Sequence, residues 1–158
     1  MDIKERKAEI NLVTLGTGVI FSALWSMFKS IIIYILMIAE KPEIFTLGDS
    51  VTTNIALVSA ILIGFSLRFY IGVCARAEGN GKRVKRVYTV LTFIVLLYYG
   101  LAVPIEASIA LFYSSGKLRN AVMLVIDLTF FILFIEVIVN SSAIRRMRKK
   151  RSAEEKAV

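Results

Sequence analysis

The sequence contains no histidine and only one cysteine, Cys74. A single thiol cannot form an intrachain disulfide. Zinc sites are built mainly from several histidine and cysteine ligands, and histidine is the usual proton carrier near neutral pH. No nucleophile motif compensates for these absences. We therefore expect a protein that is not an enzyme and that uses no metal or cofactor.

The chain also lacks the polar surface of a water-soluble domain. Hydrophobic residues make up 57% of its 158 residues, whereas soluble domains contain roughly 45–50%. The net charge is +8, but the basic residues lie between apolar runs that hold the aromatic residues. A nucleic-acid-binding surface would mix the two on a face exposed to water. The composition predicts an integral membrane protein that binds no nucleic acid.

Four apolar stretches are long enough to cross a bilayer, which takes about 20 helical residues. Each lies between short polar segments, and no segment between them is long enough to form a domain of its own. The sequence therefore predicts an all-α fold, a single four-transmembrane-helix bundle followed by a basic tail. The predicted spans are residues 12–39, 53–75, 88–113 and 121–143, and the tail covers residues 144–158.

The basic residues outside the spans are distributed very unevenly. The N-terminal segment, the connection between the second and third spans, and the tail carry 15 of them, whereas the other two connections carry three. Loops rich in lysine and arginine stay in the cytoplasm. This asymmetry predicts a multi-pass protein of the cell membrane with both termini cytoplasmic.

Five ionisable residues lie inside the predicted spans, where each costs at least about 2.5–3.5 kcal/mol at the bilayer centre unless it is paired or hydrated. We estimated their depths from the rise of 1.5 Å per helical residue. This places Lys29, Glu106 and Asp127 in an outer group, and Arg68 with Glu136 in an inner group. We expect both groups to be ion or substrate sites, or charge pairs.

Asp127 and Glu136 are nine residues apart, so they point in roughly opposite directions on a helix that turns about 100° per residue. A straight fourth helix cannot direct both carboxylates into one bundle interior. Either the helix bends or one carboxylate faces another subunit. Asn140 shares the face of Glu136 and extends the inner group.

The third span contains Pro104, which removes a backbone donor and crowds the carbonyl of Gly100. Neighbouring helices in membranes can satisfy the freed carbonyl. We therefore predict a hinge or kink at Gly100 and Pro104, just before Glu106. Tyr99 shares a face with Glu106 and joins the outer group in this interpretation.

Two series of small residues recur every four positions, a spacing that lets membrane helices approach closely. One contains Gly18, Ser22 and Ser26 in the first span, and the other contains Ala60, Gly64 and Gly72 in the second. We expect the two series to face each other.

The tail begins with a basic cluster next to the fourth span. Basic residues near the surface of an anionic leaflet each contribute about 1 kcal/mol to binding it. The alternative is that the basic cluster is only the stop-transfer anchor that commonly follows a membrane-spanning helix. The residues expected to bind anionic lipid headgroups are Arg145, Arg146, Arg148, Lys149, Lys150 and Arg151.

These features favour an ion- or proton-coupled transport or channel module that acts as a homo-oligomer, because four helices leave little room for a pore in one chain. The alternative is an accessory or scaffold subunit of a larger membrane complex, in which the charges bind a partner. An enzyme that uses Glu106 and Asp127 for acid–base chemistry on a lipid has only that carboxylate pair in its favour.

Overall fold

A computed structural model of the protein describes residues 3–40, 48–112 and 117–154. These residues form four α-helices and no strand. The all-α prediction is therefore confirmed for this part of the chain. The helices are α1 (Ile3–Glu40), α2 (Gly48–Gly79), α3 (Val87–Phe112) and α4 (Lys117–Glu154).

Each helix contains a segment long and apolar enough to cross a membrane, which confirms the prediction of four membrane-spanning helices. Three of the helices extend well beyond the predicted spans at the end of the bundle where the basic residues collect. The sidedness of the termini and the kink at Pro104 stay predictions, and α3 is assigned as one helix through that residue. The segments are Ile3–Ile32, Asn54–Gly79, Val87–Ile105 and Leu124–Glu154.

The helices pack as two antiparallel pairs. The most extensive contacts join α1 to α2 and α3 to α4, and α1 also packs along α4 to connect the pairs. The start of α1, the end of α2, the start of α3 and the end of α4 therefore meet at one end of the bundle. We call this the basic end.

Three glycines bring α1 and α2 into backbone contact, and one of them is Gly79, whose Cβ position lies 2.8 Å from the carbonyl oxygen of Glu9. A Cβ atom built on Gly16 would lie 2.6 Å from the backbone nitrogen of Arg76 and 2.8 Å from the carbonyl oxygen of Gly72. A Cβ atom built on Gly72 would lie 2.8 Å from the carbonyl oxygen of Gly16. Neither position has room for a side chain, and this contact fixes the register of the two helices.

The two predicted series of small residues do not form this contact together. Gly72 belongs to it, but Gly18 faces α4, where its Cβ position lies 3.3 Å from a methyl group of Leu133. A Cβ atom on Gly64 would meet no atom within 4 Å. Other members of the two series instead face each other across an open cleft, which Ser26 and Ser30 line from α1 and Ala60 and Gly64 line from α2.

The buried core lies in the half of the bundle nearer the basic end. Its largest side chains come from all four helices and are fully buried, whereas many apolar residues on the outer surfaces remain exposed, as expected for a chain solvated by lipid. These core side chains include Leu12, Val19, Ile71, Tyr88, Phe134, Val137 and Ile144.

The end of α2 is closed by a glycine cap. Gly81 has a φ of 84°, a left-handed conformation that favours glycine. Its amide donates to the carbonyl of Glu78 at 3.1 Å, and the amide of Lys82 donates to Ala77 at 3.0 Å. This pattern is a Schellman motif, and it places Glu78 in the last turn of the helix.

Candidate functional site

Three of the ionisable residues of the predicted spans line one cavity in the middle of the bundle. Lys29 comes from α1, Arg68 from α2 and Asp127 from α4. The cavity has a volume of about 100 Å³, which is enough to hold water. We call it the charged cavity, and its lining residues are Trp25, Ser26, Lys29, Arg68, Tyr98, Tyr99, Ala102, Ile126, Asp127 and Phe130.

Arg68 connects three helices at this cavity. Its guanidinium donates a hydrogen bond to Ser26 Oγ at 2.6 Å. The centre of the same group lies 5.4 Å from the ring centroid of Tyr99, within the range of a cation–π contact. These two contacts position the cation between α1 and α3.

An aromatic layer separates the charged cavity from the basic end. Tyr99 is 3% exposed and Phe134 is fully buried, and their rings stack with centroids 5.8 Å apart. Phe130 packs edge-on against Tyr99 at 6.1 Å. The cavity is therefore closed in this direction by side chains of α3 and α4.

The structure groups the charges differently from the depth estimate. Arg68 lies with Lys29 and Asp127 rather than beside Glu136, and no Arg68–Glu136 salt bridge forms in the part of the chain that is described. The estimate placed each charge relative to the midpoint of its own span. The glycine contact sets the register of α1 and α2 instead, and it brings Arg68 level with Ser26, one turn from Lys29.

Glu136 and Asn140 lie apart from the charged cavity. Glu136 is exposed on the outer surface of α4, between the exposed side chains of Ile135 and Val139. Asn140 is half-buried and donates to the backbone carbonyl of Glu136 at 2.8 Å. Asp127 and Glu136 therefore do lie on different faces of α4, one lining the cavity and the other outside the bundle.

The predicted hinge lies beside α4. The Cβ position of Gly100 is 3.6 Å from the ring of Phe131, which is ordinary van der Waals contact. Pro104 is exposed, and its carbonyl accepts a hydrogen bond from Ser108 Oγ at 2.9 Å. The side chain of Glu106 lies outside the described residues.

A second polar site, at the basic end, was not predicted from the sequence. The carboxylate of Glu78 is almost fully buried and accepts hydrogen bonds from the Tyr88 hydroxyl, from Ser141 Oγ at 2.9 Å and from Arg145 Nε at 2.6 Å. Arg145 also lies 5.4 Å from the centroid of the Tyr88 ring. This cluster connects α2, α3 and α4.

Two further arginines of α4 extend the cluster to α1. Arg148 pairs with Glu9 at 3.0 Å and donates to the carbonyl of Glu78 at 3.0 Å. Arg151 pairs with the buried carboxylate of Glu5. All four helices are therefore joined in what we call the basic-end network: Glu5, Glu9, Glu78, Tyr88, Ser141, Arg145, Arg148 and Arg151.

This network changes the interpretation of the basic cluster that follows the fourth predicted span. Arg145, Arg148 and Arg151 recur every third residue and turn towards carboxylates of the bundle. Arg146, Lys149 and Lys150 are exposed. Half of the cluster predicted to bind lipid headgroups is thus engaged within the protein. Two features of the sequence indicate these ion pairs. Three arginines recur at every third position of the tail, and the N-terminal segment carries acidic residues that can pair with them.

A larger cavity opens between α1 and α2 where the two helices separate. It has a volume of about 230 Å³ and shares Ser26 and Arg68 with the charged cavity. We call it the side cleft, and its lining residues are Ser26, Met27, Ser30, Leu57, Ala60, Ile61, Gly64, Phe65 and Arg68.

Comparison of the chain with protein-family models, with curated proteins and with solved structures gives no match.

Proposed function

We propose that this chain is a small multi-pass membrane protein whose charged cavity handles an ion or a proton. The observation that supports this most directly is the presence of Lys29, Arg68 and Asp127 around one cavity in the middle of the bundle. Charges within a membrane are costly and commonly mark ion or proton pathways.

The position of Asp127 suggests how such a cavity works. Its carboxylate lines the same cavity as two cations, Lys29 and Arg68, so it offsets part of the positive charge that an ion in the cavity would meet. The aromatic layer of Tyr99 and Phe134 blocks the route to the basic end. Passage of an ion therefore requires these rings to move, and α3 carries the predicted hinge at Gly100 and Pro104 close to them.

Replacing Asp127 by asparagine is expected to reduce ion or proton flux to that of protein-free liposomes, because an amide neither ionises nor binds a proton near neutral pH. Flux is measured in proteoliposomes containing a dye sensitive to protons, to sodium or to potassium, each under the corresponding imposed gradient. Glu154→Gln is the matched control, since this exposed residue of α4 lies away from the cavity. Wild-type protein without flux under every gradient contradicts the proposal.

We further propose that the protein acts as an oligomer, with its basic end in the cytoplasm and the exposed basic residues there near anionic headgroups. The support for an oligomer is Glu136, an exposed carboxylate on an apolar outer face within a membrane-spanning helix. A charge in that position is stabilised when a neighbouring chain supplies a cation or a hydrogen-bond donor.

Replacing Glu136 by glutamine is expected to weaken self-association at least tenfold, because hydrogen bonds to charged groups contribute about 1.5–3 kcal/mol. The stoichiometry is measured by light scattering in mild detergent and by photobleaching in nanodiscs. Glu154→Gln should leave it unchanged. A wild-type protein that is monomeric in both media contradicts the oligomer, and its co-purification with another membrane protein would favour the accessory-subunit alternative.

A further inference from the structure

We propose that the side cleft binds an organic anion, specifically the carboxylate of a molecule with an apolar body. This proposal goes beyond ion handling in the charged cavity, because binding in the side cleft does not require transport. The cleft is formed by α1 and α2, which diverge beyond the contact between Gly16 and Gly72.

Arg68 is the one ionisable residue among the described residues that line the side cleft. Its guanidinium has five N–H donors and is always charged in proteins. Within the described chain, its contacts are the hydrogen bond to Ser26 and the Tyr99 ring. Among the described residues, Ser26 is thus the one hydrogen-bond acceptor of this guanidinium, and unsatisfied donors in a membrane interior are costly.

The shape of guanidinium favours a carboxylate over a spherical anion, because the two groups can form two parallel hydrogen bonds. The hydroxyl-bearing residues Ser26 and Ser30 also line the cleft and can contribute a further donor. Asp127 and Lys29 line the charged cavity and are not part of this lining. Arg68 therefore supplies the one charge among the described residues of this lining, and that charge is positive.

The other residues of the lining determine which kind of molecule can carry the bound carboxylate. Met27, Leu57, Ile61 and Phe65 present apolar side chains, and Gly64 leaves open space where any other residue would place a side chain. A volume of about 230 Å³ is smaller than the roughly 300–1,000 Å³ of pockets for drug-sized ligands. A small carboxylate or the head of a fatty acid fits these limits.

Binding is tested with radiolabelled butyrate and decanoate on the full chain in phosphatidylcholine nanodiscs, with empty nanodiscs as background. Butyrate remains in water, whereas decanoate partitions into the bilayer, so the two probes distinguish a dissolved ligand from a membrane-borne one. Saturable binding of either probe supports the proposal. Butyramide and decanamide, which are neutral, should compete poorly. No gradient is applied, so a protein that moves no ion still gives a result.

Two variants test the site by different routes. Arg68→Gln removes the charge and should weaken binding at least tenfold, as loss of a charge-assisted hydrogen bond does. Gly64→Leu fills the cleft while Arg68 is retained, and should weaken binding to a similar extent. Arg76→Gln removes an exposed charge from the same helix and should bind like the wild type.

Three results overturn the proposal. The first is that neither probe binds saturably to the wild type. The second is that Gly64→Leu, folded as judged by its elution profile, binds as tightly as the wild type. The third is that the amides compete as well as the acids, which would show that the carboxylate is not recognised.

Discussion

Replacing Glu78 by alanine is expected to lower the free energy of unfolding by about 3–5 kcal/mol, the cost of removing one partner from a buried ion pair. Glu78 is 2% exposed and accepts hydrogen bonds from Tyr88, Ser141 and Arg145. Without the carboxylate, Tyr88 and Ser141 lose their shared acceptor, and the Arg145 charge loses its partner. No other acidic residue is placed to replace it within the described part of the network, because Glu5 and Glu9 pair with Arg151 and Arg148.

The measurement is denaturant-induced unfolding in mixed micelles, monitored by far-ultraviolet circular dichroism. Glu154→Ala is the control, because it removes an exposed carboxylate from the end of α4. A double-mutant cycle of Glu78→Ala with Arg145→Ala isolates the coupling between the two side chains. Equal stability of Glu78→Ala and Glu154→Ala would falsify the structural role of the cluster.

The length and apolar composition of four segments explain why the four helices could be predicted from the sequence. A run of about 20 apolar residues has few alternatives to crossing a bilayer, and four such runs lie between polar segments. The nine-residue separation of Asp127 and Glu136 likewise predicted their placement on different faces of α4, because helical periodicity is local and needs no knowledge of the neighbours.

The grouping of the charges could not be predicted in the same way. Depth along a helix is measured from its midpoint, and the apolar limits of a span leave that midpoint uncertain by several residues. Arg68 lies beside Ser26 because Gly16 and Gly72 meet at the backbone. Which of several glycines forms a contact depends on the facing helix, as Gly18 and Gly64 show.

The basic-end network could not be predicted from the sequence for a different reason. Glu5, Glu9 and Glu78 lie beyond the predicted apolar spans, in segments where charged residues are ordinarily exposed. The helices α1, α2 and α4 continue past those spans, and their added turns place the carboxylates opposite the arginines. The same arginines also indicate the orientation of the chain, and the two roles are compatible because the exposed basic residues remain at the same end.

The contact between Gly16 and Gly72 leads to a second prediction with a large effect. Gly16→Leu is expected to lower the free energy of unfolding by at least about 3 kcal/mol, the upper end of the usual cost of overpacking a core. The atoms that the new side chain would meet are the backbone nitrogen of Arg76 at 2.6 Å and the carbonyl oxygen of Gly72 at 2.8 Å. Backbone atoms of a helix cannot rotate aside as a side chain can, so α1 and α2 must separate.

Gly64→Leu is the matched control for this prediction, because it makes the same chemical change at an α2 glycine whose Cβ position meets no atom within 4 Å. It should cost little stability, since leucine favours a helix more than glycine by up to about 1 kcal/mol. Both variants are compared by denaturant unfolding and by the fraction that elutes as a monodisperse species after heating. If both lose stability equally, the interface between α1 and α2 does not depend on the close approach at Gly16. If Gly16→Leu alone loses stability, the close approach at Gly16 stabilises the pairing of α1 and α2, the two helices that place Arg68 beside Ser26.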